Sequence, residues 1–301
     1  MTEERAQVGE VELVYDTIGD PADPPLLLVM GLGMQLIHWD RDLCELFAER
    51  GFHVIRFDNR DAGLSTKISA PVPNVMRLMA GLPTKVPYLL EDMARDTLGL
   101  LDHLGIERAH VVGTSMGGMI AQTMAIGSPE RVLSLASMLS TTGDRRVGAP
   151  KLRVWSVLMR RAPQSRDAYI EYFVRVFRMI GSPAYPADEE RTRALAAATY
   201  DRCHYPAGTA RQLGAIMASG SRTAGLRRLD VPTVVIHGEE DPLVPPRAAV
   251  ATARTIPGAE LIKIPGMGHD MPKELWPTFV DAIAKNADRA AIPLGAPRPA
   301  P

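Results

Sequence analysis

Gly113-Thr114-Ser115-Met116-Gly117-Gly118 follows the apolar run His110-Val111-Val112, so that glycines stand two residues before and two residues after Ser115. A strand that turns sharply into a helix forces the residue at the turn into a strained conformation, and glycines on both sides let strand and helix approach closely. The stretch therefore predicts a nucleophile elbow that exposes the Ser115 hydroxyl. Because so short a pattern also occurs by chance, its surroundings must support it.

Two later apolar runs end in polar residues that could act together with Ser115. Val234-Val235-Ile236-His237-Gly238 precedes Asp241, and Leu261-Ile262-Lys263-Ile264 precedes His269. An open parallel sheet binds its ligands beyond the carboxyl ends of its strands. The sequence thus predicts that the three side chains meet at one edge of a sheet, as a triad in the chain order serine, aspartate, histidine.

Each residue of this triad would have a chemical role. His269 would take the proton of Ser115, which is a weak nucleophile by itself, and Asp241 would orient the imidazole and stabilise its positive charge. His237 also ends a strand and is an alternative base, although an isolated strand-end histidine more often binds backbone groups. The alternative acids are Glu239, Glu240 and Asp144.

Length and composition limit the class of protein. With 301 residues, 46% of them hydrophobic and 23% charged, the chain can form one large core, or a core and a lid. Residues 1–10 are polar and acidic, and no apolar stretch approaches the roughly 20 residues needed to cross a bilayer, so we expect a cytoplasmic protein. Cys44 and Cys203 lack metal-ligand spacing, which favours free thiols and no metal site. No pattern typical of nucleic-acid binding accompanies the arginines.

Short apolar strands alternate with helix-period segments through most of the chain. This alternation predicts an α/β fold with a mostly parallel central sheet flanked by helices, formed by residues 1–139 and 230–286. The alternation stops at residues 140–229, which we call the inserted segment and predict to be a helical cap before the last two strands. Residues 287–301 are rich in proline and alanine and predict a disordered tail. Helices of the inserted segment are predicted at 154–159, 169–180, 189–200 and 210–217.

The inserted segment is strongly basic. Between Arg145 and Arg228 it carries 16 Lys or Arg against 6 Asp or Glu, whereas the rest of the chain carries 18 against 29. A basic lid could steer anionic substrates, such as acyl-coenzyme A thioesters or anionic lipids, and could touch a membrane surface weakly. The alternative is that these charges belong to helix faces turned to solvent.

Together these features resemble the α/β-hydrolase superfamily over nearly the whole chain. Asp58-Asn59-Arg60-Asp61-Ala62-Gly63-Leu64-Ser65 is similar to the loop that follows the fourth strand in that family. Val29-Met30-Gly31-Leu32-Gly33 stands where many members carry His-Gly. Because of this departure, the chain most resembles mycobacterial and actinobacterial hydrolases of the lipase and esterase type, including those that resemble aclacinomycin methylesterase.

The resemblance implies a serine hydrolase that cleaves carboxylic esters through an acyl-enzyme, without cofactor or metal. The backbone amides of Leu32 and Met116 would form the oxyanion hole, with Gly33 as an alternative donor. Gly31, Gly33 and Met34 are expected to line the substrate site. Thioesters, lipids or phospholipids, and perhydrolase chemistry are alternatives with the same triad. A ligand-binding protein without activity is the alternative from another class, and we would expect it to have lost a triad residue.

Overall fold

The computed structural model describes residues 3–148, 154 and 162–290. Its centre is one eight-stranded sheet in which the first two strands in sequence form an antiparallel hairpin at one edge. The strands are β1 (Glu4–Val8), β2 (Val11–Ile18), β3 (Pro25–Val29), β4 (His53–Phe57), β5 (Ala109–Thr114), β6 (Val132–Met138), β7 (Thr233–Gly238) and β8 (Glu260–Ile264).

The strand order across the sheet is β1-β2-β4-β3-β5-β6-β7-β8. The β1/β2 and β2/β4 pairs are antiparallel, and every other neighbouring pair is parallel. The predicted mostly parallel sheet is therefore confirmed. The sequence pattern did not reveal β1, because Ala6 is the only fully buried residue of this otherwise polar strand.

Helices cover both faces of the sheet. Leu26 and Leu28 of β3 belong to one apolar cluster, and Leu27 and Val29 to another, since successive side chains of a strand point to opposite faces. All four are fully buried. The α-helices within the described ranges are α1 (Arg41–Glu49), α2 (Val75–Met79), α3 (Leu90–His103), α4 (Met116–Gly127), α5 (Arg145–Gly148), α6 (Arg166–Ile180), α7 (Glu189–Arg202), α8 (Pro206–Ser219), α9 (Thr223–Leu226), α10 (Pro246–Thr255) and α11 (Trp276–Asp288).

The described part of the inserted segment is helical and contains no strand, with α5 to α9 lying between β6 and β7. Three of its predicted helices are present and extend beyond their predicted ends. The predicted helix at 154–159 lies outside the described residues, apart from Val154.

The last helix extends further than the sequence indicated. Ala287 is buried, and the side-chain amide of Asn286 donates to the carbonyls of Leu135 and Pro232 at 3.1 and 3.2 Å. Helix α11 therefore continues to Asp288 in the core, two residues past the predicted start of the tail. Residues 291–301 lie outside the described residues. Within the described ranges, the helices are too short or too polar to span a membrane.

Candidate active site

Ser115 occupies the sharp turn between β5 and α4, with φ 55° and ψ −117°. The two predicted glycines explain how the chain makes this turn. A Cβ atom on Gly113 would lie 2.2 Å from the carbonyl oxygen of Gly117, and one on Gly117 would lie 2.0 Å from that of Val29. Only residues without a side chain therefore let α4 begin so close to the ends of β3 and β5. The half-buried Ser115 side chain stands at the carboxyl edge of the sheet.

Loops after β7 and β8 bring Asp241 and His269 to this edge. The imidazole Nε2 of His269 lies 3.1 Å from Oγ of Ser115, and its Nδ1 lies 2.6 Å from Oδ2 of Asp241. Asp241 and His269 are 1% and 9% exposed. The three predicted side chains thus form one continuous hydrogen-bonded chain, with the histidine between the hydroxyl and the carboxylate.

The surroundings of Asp241 favour its ionised form. Burial would raise the pKa of this carboxyl, but His269 and His237, through their charge and hydrogen bonds, outweigh burial and hold the pKa well below its usual range. The other carboxylate oxygen, Oδ1, accepts hydrogen bonds from the amides of Leu243 and Val244, both at 2.8 Å. A carboxylate fixed by four donors can orient a neighbouring imidazole without moving itself.

The alternative base, His237, contacts the carboxylate of Asp241 and a backbone carbonyl. Its Nε2 is 2.8 Å from the carbonyl oxygen of Val244 and 3.3 Å from Oδ2 of Asp241. Its side chain is fully buried. The Ser115 hydroxyl is hydrogen-bonded to His269 instead, so the geometry favours His269 as its partner.

The alternative acids have other partners or face solvent. Glu239 forms an ion pair with Lys263 at 2.5 Å, and Glu240 is exposed. Asp144 accepts a hydrogen bond from the backbone amide of Arg146 at 2.9 Å, at the start of α5. Only Asp241 among these candidates contacts His269.

The loop after β3 lies beside Ser115. A Cβ atom on Gly31 would be 3.3 Å from the Cβ atom of Ser115. The amides of Leu32 and Met116 donate to no other protein atom within the described residues, and Met116 is the first residue of α4, where helical amides lack partners. Both amides are thus available to a ligand.

Gly33 and Met34 have protein neighbours that the sequence did not indicate. The Gly33 amide donates to Oε1 of Gln212 in α8 at 2.8 Å, and a Cβ atom on Gly33 would lie 2.6 Å from the Thr209 side chain. The amide of Gly33 is therefore engaged, which argues against it as the alternative donor to an oxyanion. Met34 is half-buried and packs against the apolar cluster that contains Trp39.

Helices of the inserted segment bind the loops around this site through buried polar contacts. Arg211 of α8 pairs with Asp61 through two hydrogen bonds of 2.8 and 2.9 Å. Arg202 of α7 lies 2.7 Å from Asp58, and Gln35 donates to the carbonyl of Cys203 at 2.8 Å. These contacts join residues far apart in the chain, and no local pattern indicated them.

Ion pairs of the inserted segment account for part of the uneven charge distribution. Six arginines of the inserted segment form ion pairs within the described residues. Three of these, Arg191, Arg202 and Arg211, pair with acidic residues outside the segment. The basic segment and the acidic remainder are therefore partly complementary surfaces of one molecule.

Cys44 and Cys203 are free cysteines, the first buried and the second half-buried, and burial raises the pKa of the Cys44 thiol to about 12. The described residues contain no group of three or more His, Cys, Asp or Glu side chains arranged to hold a metal ion.

Comparison with known proteins shows that the chain is similar to hydrolases. A family model described as the alpha/beta hydrolase fold matches residues 24–274. Rhodomycin D methylesterase DnrP of Streptomyces peucetius is 30% identical, over 94% of this chain and 97% of that protein. The same figures hold for rhodomycin D methylesterase DauP of Streptomyces sp. strain C5. The crystal structure of the enol-lactonase from Burkholderia xenovorans LB400 superposes with a TM-score of 0.75 at 24% identity, over 95% of this chain and 100% of that one.

These matches confirm the predicted fold class and the predicted similarity to methylesterases of this fold. They also confirm the prediction that the chain is a hydrolase. They carry no information on individual residues, so the roles of Ser115, Asp241 and His269 remain predictions.

Proposed function

Because the chain belongs to the α/β-hydrolase family, we propose that it hydrolyses carboxylic esters through an acyl-enzyme formed on Ser115. The observation that carries this proposal is the hydrogen-bonded chain from Ser115 through His269 to Asp241, with distances of 3.1 and 2.6 Å. A hydroxyl within reach of an imidazole that is itself oriented by a buried carboxylate is the arrangement that activates a serine.

In acylation, Oγ of Ser115 attacks the carbonyl carbon of the ester while its proton passes to Nε2 of His269. Asp241 stabilises the imidazolium that forms and itself stays ionised. The negative charge that develops on the carbonyl oxygen is bound by the amides of Leu32 and Met116. Donors already fixed in place stabilise this charge without reorganising during the reaction.

The tetrahedral intermediate then collapses, and its bond to the alcohol oxygen breaks. The proton held on Nε2 of His269 goes to that oxygen, so the alcohol leaves neutral and the acyl group stays on Ser115. In deacylation a water molecule attacks the acyl carbon while His269 takes a proton from the water. The bond between the acyl carbon and Oγ of Ser115 then breaks, and the proton on His269 passes to Oγ. The carboxylic acid leaves, and the resting state is restored.

The names of the two Streptomyces relatives support a carboxylic methyl ester as the substrate. Both Streptomyces proteins are methylesterases and are matched over nearly their full length. Hydrolysis of a methyl ester releases methanol, whereas hydrolysis of a thioester or a lipid releases a larger group. The released group therefore distinguishes a methylesterase from a thioesterase or a lipase. Methanol release from simple methyl esters, measured beside a p-nitrophenyl ester series and acyl-coenzyme A thioesters, tests this choice.

Labelling with a fluorophosphonate probe tests the nucleophile. We expect the wild type to be labelled at Ser115, with the site located by mass spectrometry. Ser115→Ala should lose labelling and reduce ester turnover by about 10³-fold or more. The matched control is Ser165→Ala, an exposed serine at the start of α6 whose side chain forms no cap hydrogen bond. Labelling at another residue with activity retained in Ser115→Ala contradicts the proposal.

A further inference from the structure

The loop that carries His269 is hydrogen-bonded to the inserted segment on both sides of the histidine. The backbone amide of His269 donates to the carbonyl of Ile180 at 2.7 Å. The amide of Gly268 donates to Oγ of Ser182 at 2.8 Å, and the same hydroxyl donates to Oδ1 of Asp270. Ser182 therefore bridges the residues immediately before and after His269.

The end of α6 is suited to this contact. The last carbonyls of a helix have no partner within the helix, and Ile180 is the last residue of α6. Its carbonyl is satisfied by the His269 amide instead. The histidine backbone is thus tied to a helix end, which is fixed by its own hydrogen-bonded turns.

At Gly268 and Gly266 the two segments lie too close for a further side chain between them. A Cβ atom on Gly268 would be 2.3 Å from the carbonyl oxygen of Gly181. One on Gly266 would be 2.3 Å from the Cβ atom of Ala184, whose amide donates to the carbonyl of Gly266 at 3.1 Å. Backbone meets backbone along residues 180–184 and 266–269, so a small shift of one segment must move the other.

Gly181, Ser182 and Pro183 also help to line an open cleft of about 540 Å³. Ser182 is nevertheless buried, with 5% of the residue exposed. The two hydrogen bonds of its hydroxyl to the histidine loop therefore lie away from solvent and fix the position of the side chain.

We propose that Ser182 is a positioning residue for His269, and that through it the inserted segment controls the alignment of the imidazole with Ser115 and Asp241. This inference rests on the proposed function, since it assumes that His269 acts as the base. Ser182 does not touch the reacting atoms. It holds the backbone on both sides of a residue whose side chain must keep two hydrogen bonds at once.

Electrostatics give this bridge a second consequence. Burial raises the pKa of Asp270, while the hydrogen bonds from Ser182 oppose the rise. Without the Ser182 hydroxyl, Asp270 would more readily take a proton and lose its negative charge beside His269. That charge favours the imidazolium that His269 forms during catalysis, so its loss adds to the fall in kcat.

The test compares Ser182→Ala with Ser182→Thr, which keeps a hydroxyl, and with the exposed control Ser165→Ala. With p-nitrophenyl acetate, we expect Ser182→Ala to lower kcat by about 10-fold or more at nearly unchanged KM, because alignment matters most in the transition state. Ser182→Thr should recover most of the lost kcat, and Ser165→Ala should match the wild type.

A measurement without turnover completes the test. The proton between Nδ1 of His269 and Asp241 should give a far-downfield NMR resonance in the wild type, and this should broaden or shift in Ser182→Ala. If Ser182→Ala keeps the wild-type kcat and resonance, Ser182 has no positioning role although the ester hydrolase remains. A loss of kcat that merely follows a loss of folded protein in thermal unfolding also overturns the inference. A wild type that neither reacts with fluorophosphonate nor hydrolyses esters overturns the proposed function and this inference together.

Discussion

His237 and His269 share one oxygen of Asp241. Nε2 of His237 lies 3.3 Å from Oδ2, the atom that Nδ1 of His269 approaches to 2.6 Å. Nε2 of His237 also lies 2.8 Å from the carbonyl oxygen of Val244, which can only accept, so this nitrogen must carry a proton. The other nitrogen, Nδ1, is buried and has no hydrogen-bond partner within the described residues. Nε2 of His237 is therefore a hydrogen-bond donor that contacts the same carboxylate oxygen as His269.

This arrangement predicts different outcomes for two substitutions of His237. Glutamine can place an amide nitrogen where Nε2 lies, whereas the shorter asparagine places its nitrogen near Nδ1 and leaves Asp241 and Val244 without their donor. We expect the kcat of His237→Gln to stay within about 3-fold of the wild-type value. The kcat of His237→Asn should fall by about 10-fold or more, because buried acceptors are left without a donor. Steady-state kinetics with p-nitrophenyl acetate measures both. Equal effects of the two variants would mean that the donor at Nε2 is irrelevant.

Asp241→Asn tests the orientation of His269. The amides of Leu243 and Val244 would still bind the oxygen of asparagine, which turns its NH₂ group toward His269 and favours the wrong imidazole tautomer. We expect kcat to fall by about 10³ to 10⁴-fold with little change in KM, since proton transfer is absent from the ground state. Glu240→Gln, at an exposed neighbour, is the control and should leave kcat unchanged. A mild effect of Asp241→Asn would show that another group orients the base.

The sequence predicted those parts of the site that depend on local patterns. Ser115 could be found because two glycines and a preceding strand lie within a few residues of it, and Asp241 and His269 because each follows an apolar strand. Ser182 could not be found, since it is 86 residues from Gly268 and stands in no motif. The same holds for the contact between Gly33 and Gln212, which are 179 residues apart. Contacts of that span are set by how helices pack on loops.

The buried pair of Asp61 and Arg211 should be a major link between the inserted segment and the sheet. As whole residues they are 1% and 2% exposed. Asp61 also accepts a hydrogen bond from the Tyr88 hydroxyl at 2.7 Å. Asp61 has φ 67°, which asparagine tolerates, so Asp61→Asn removes the charge without straining the backbone. We expect a loss of about 3 kcal/mol or more in the free energy of unfolding, because the Arg211 charge stays buried without its partner.

Urea unfolding monitored by circular dichroism measures this loss. The control is Asp201→Asn, which breaks the solvent-exposed ion pair with Arg166. Exposed pairs contribute little, so the control should unfold at nearly the wild-type urea concentration. If both variants unfold alike, the buried pair does not hold the inserted segment.

His110 should make the protein less stable in mild acid. Burial lowers the pKa of this β5 histidine from the ordinary value of 6.5 to about 4, with Asp288 opposing and Arg108 adding to the shift. Between these two values the unfolded chain binds the proton and the folded chain does not, so stability falls as the pH decreases from 6.5 to about 4. Below that range this group causes no further loss.

His110→Asn should reduce that loss, since asparagine can keep the hydrogen bond to Ser134 without titrating. Melting temperatures measured across this pH range should therefore fall less steeply in His110→Asn than in the wild type. The exposed His103 provides the control, and His103→Asn should follow the wild-type curve. Parallel curves for all three proteins would remove His110 as the cause.

The pairing of arginines across the molecule predicts weak steering of anionic substrates. Six arginines of the inserted segment are already paired within the described residues, and three of them bind acids outside it. We therefore expect kcat/KM for p-nitrophenyl butyrate and for the anionic p-nitrophenyl hemisuccinate to respond alike, within about 2-fold, between about 0.05 and 0.5 M NaCl. Arg227→Glu and Arg228→Glu, at exposed positions, should leave the ratio of the two substrates unchanged. A 10-fold fall for the anionic ester alone, reproduced by these charge reversals, would instead establish the basic segment as an electrostatic guide to the site.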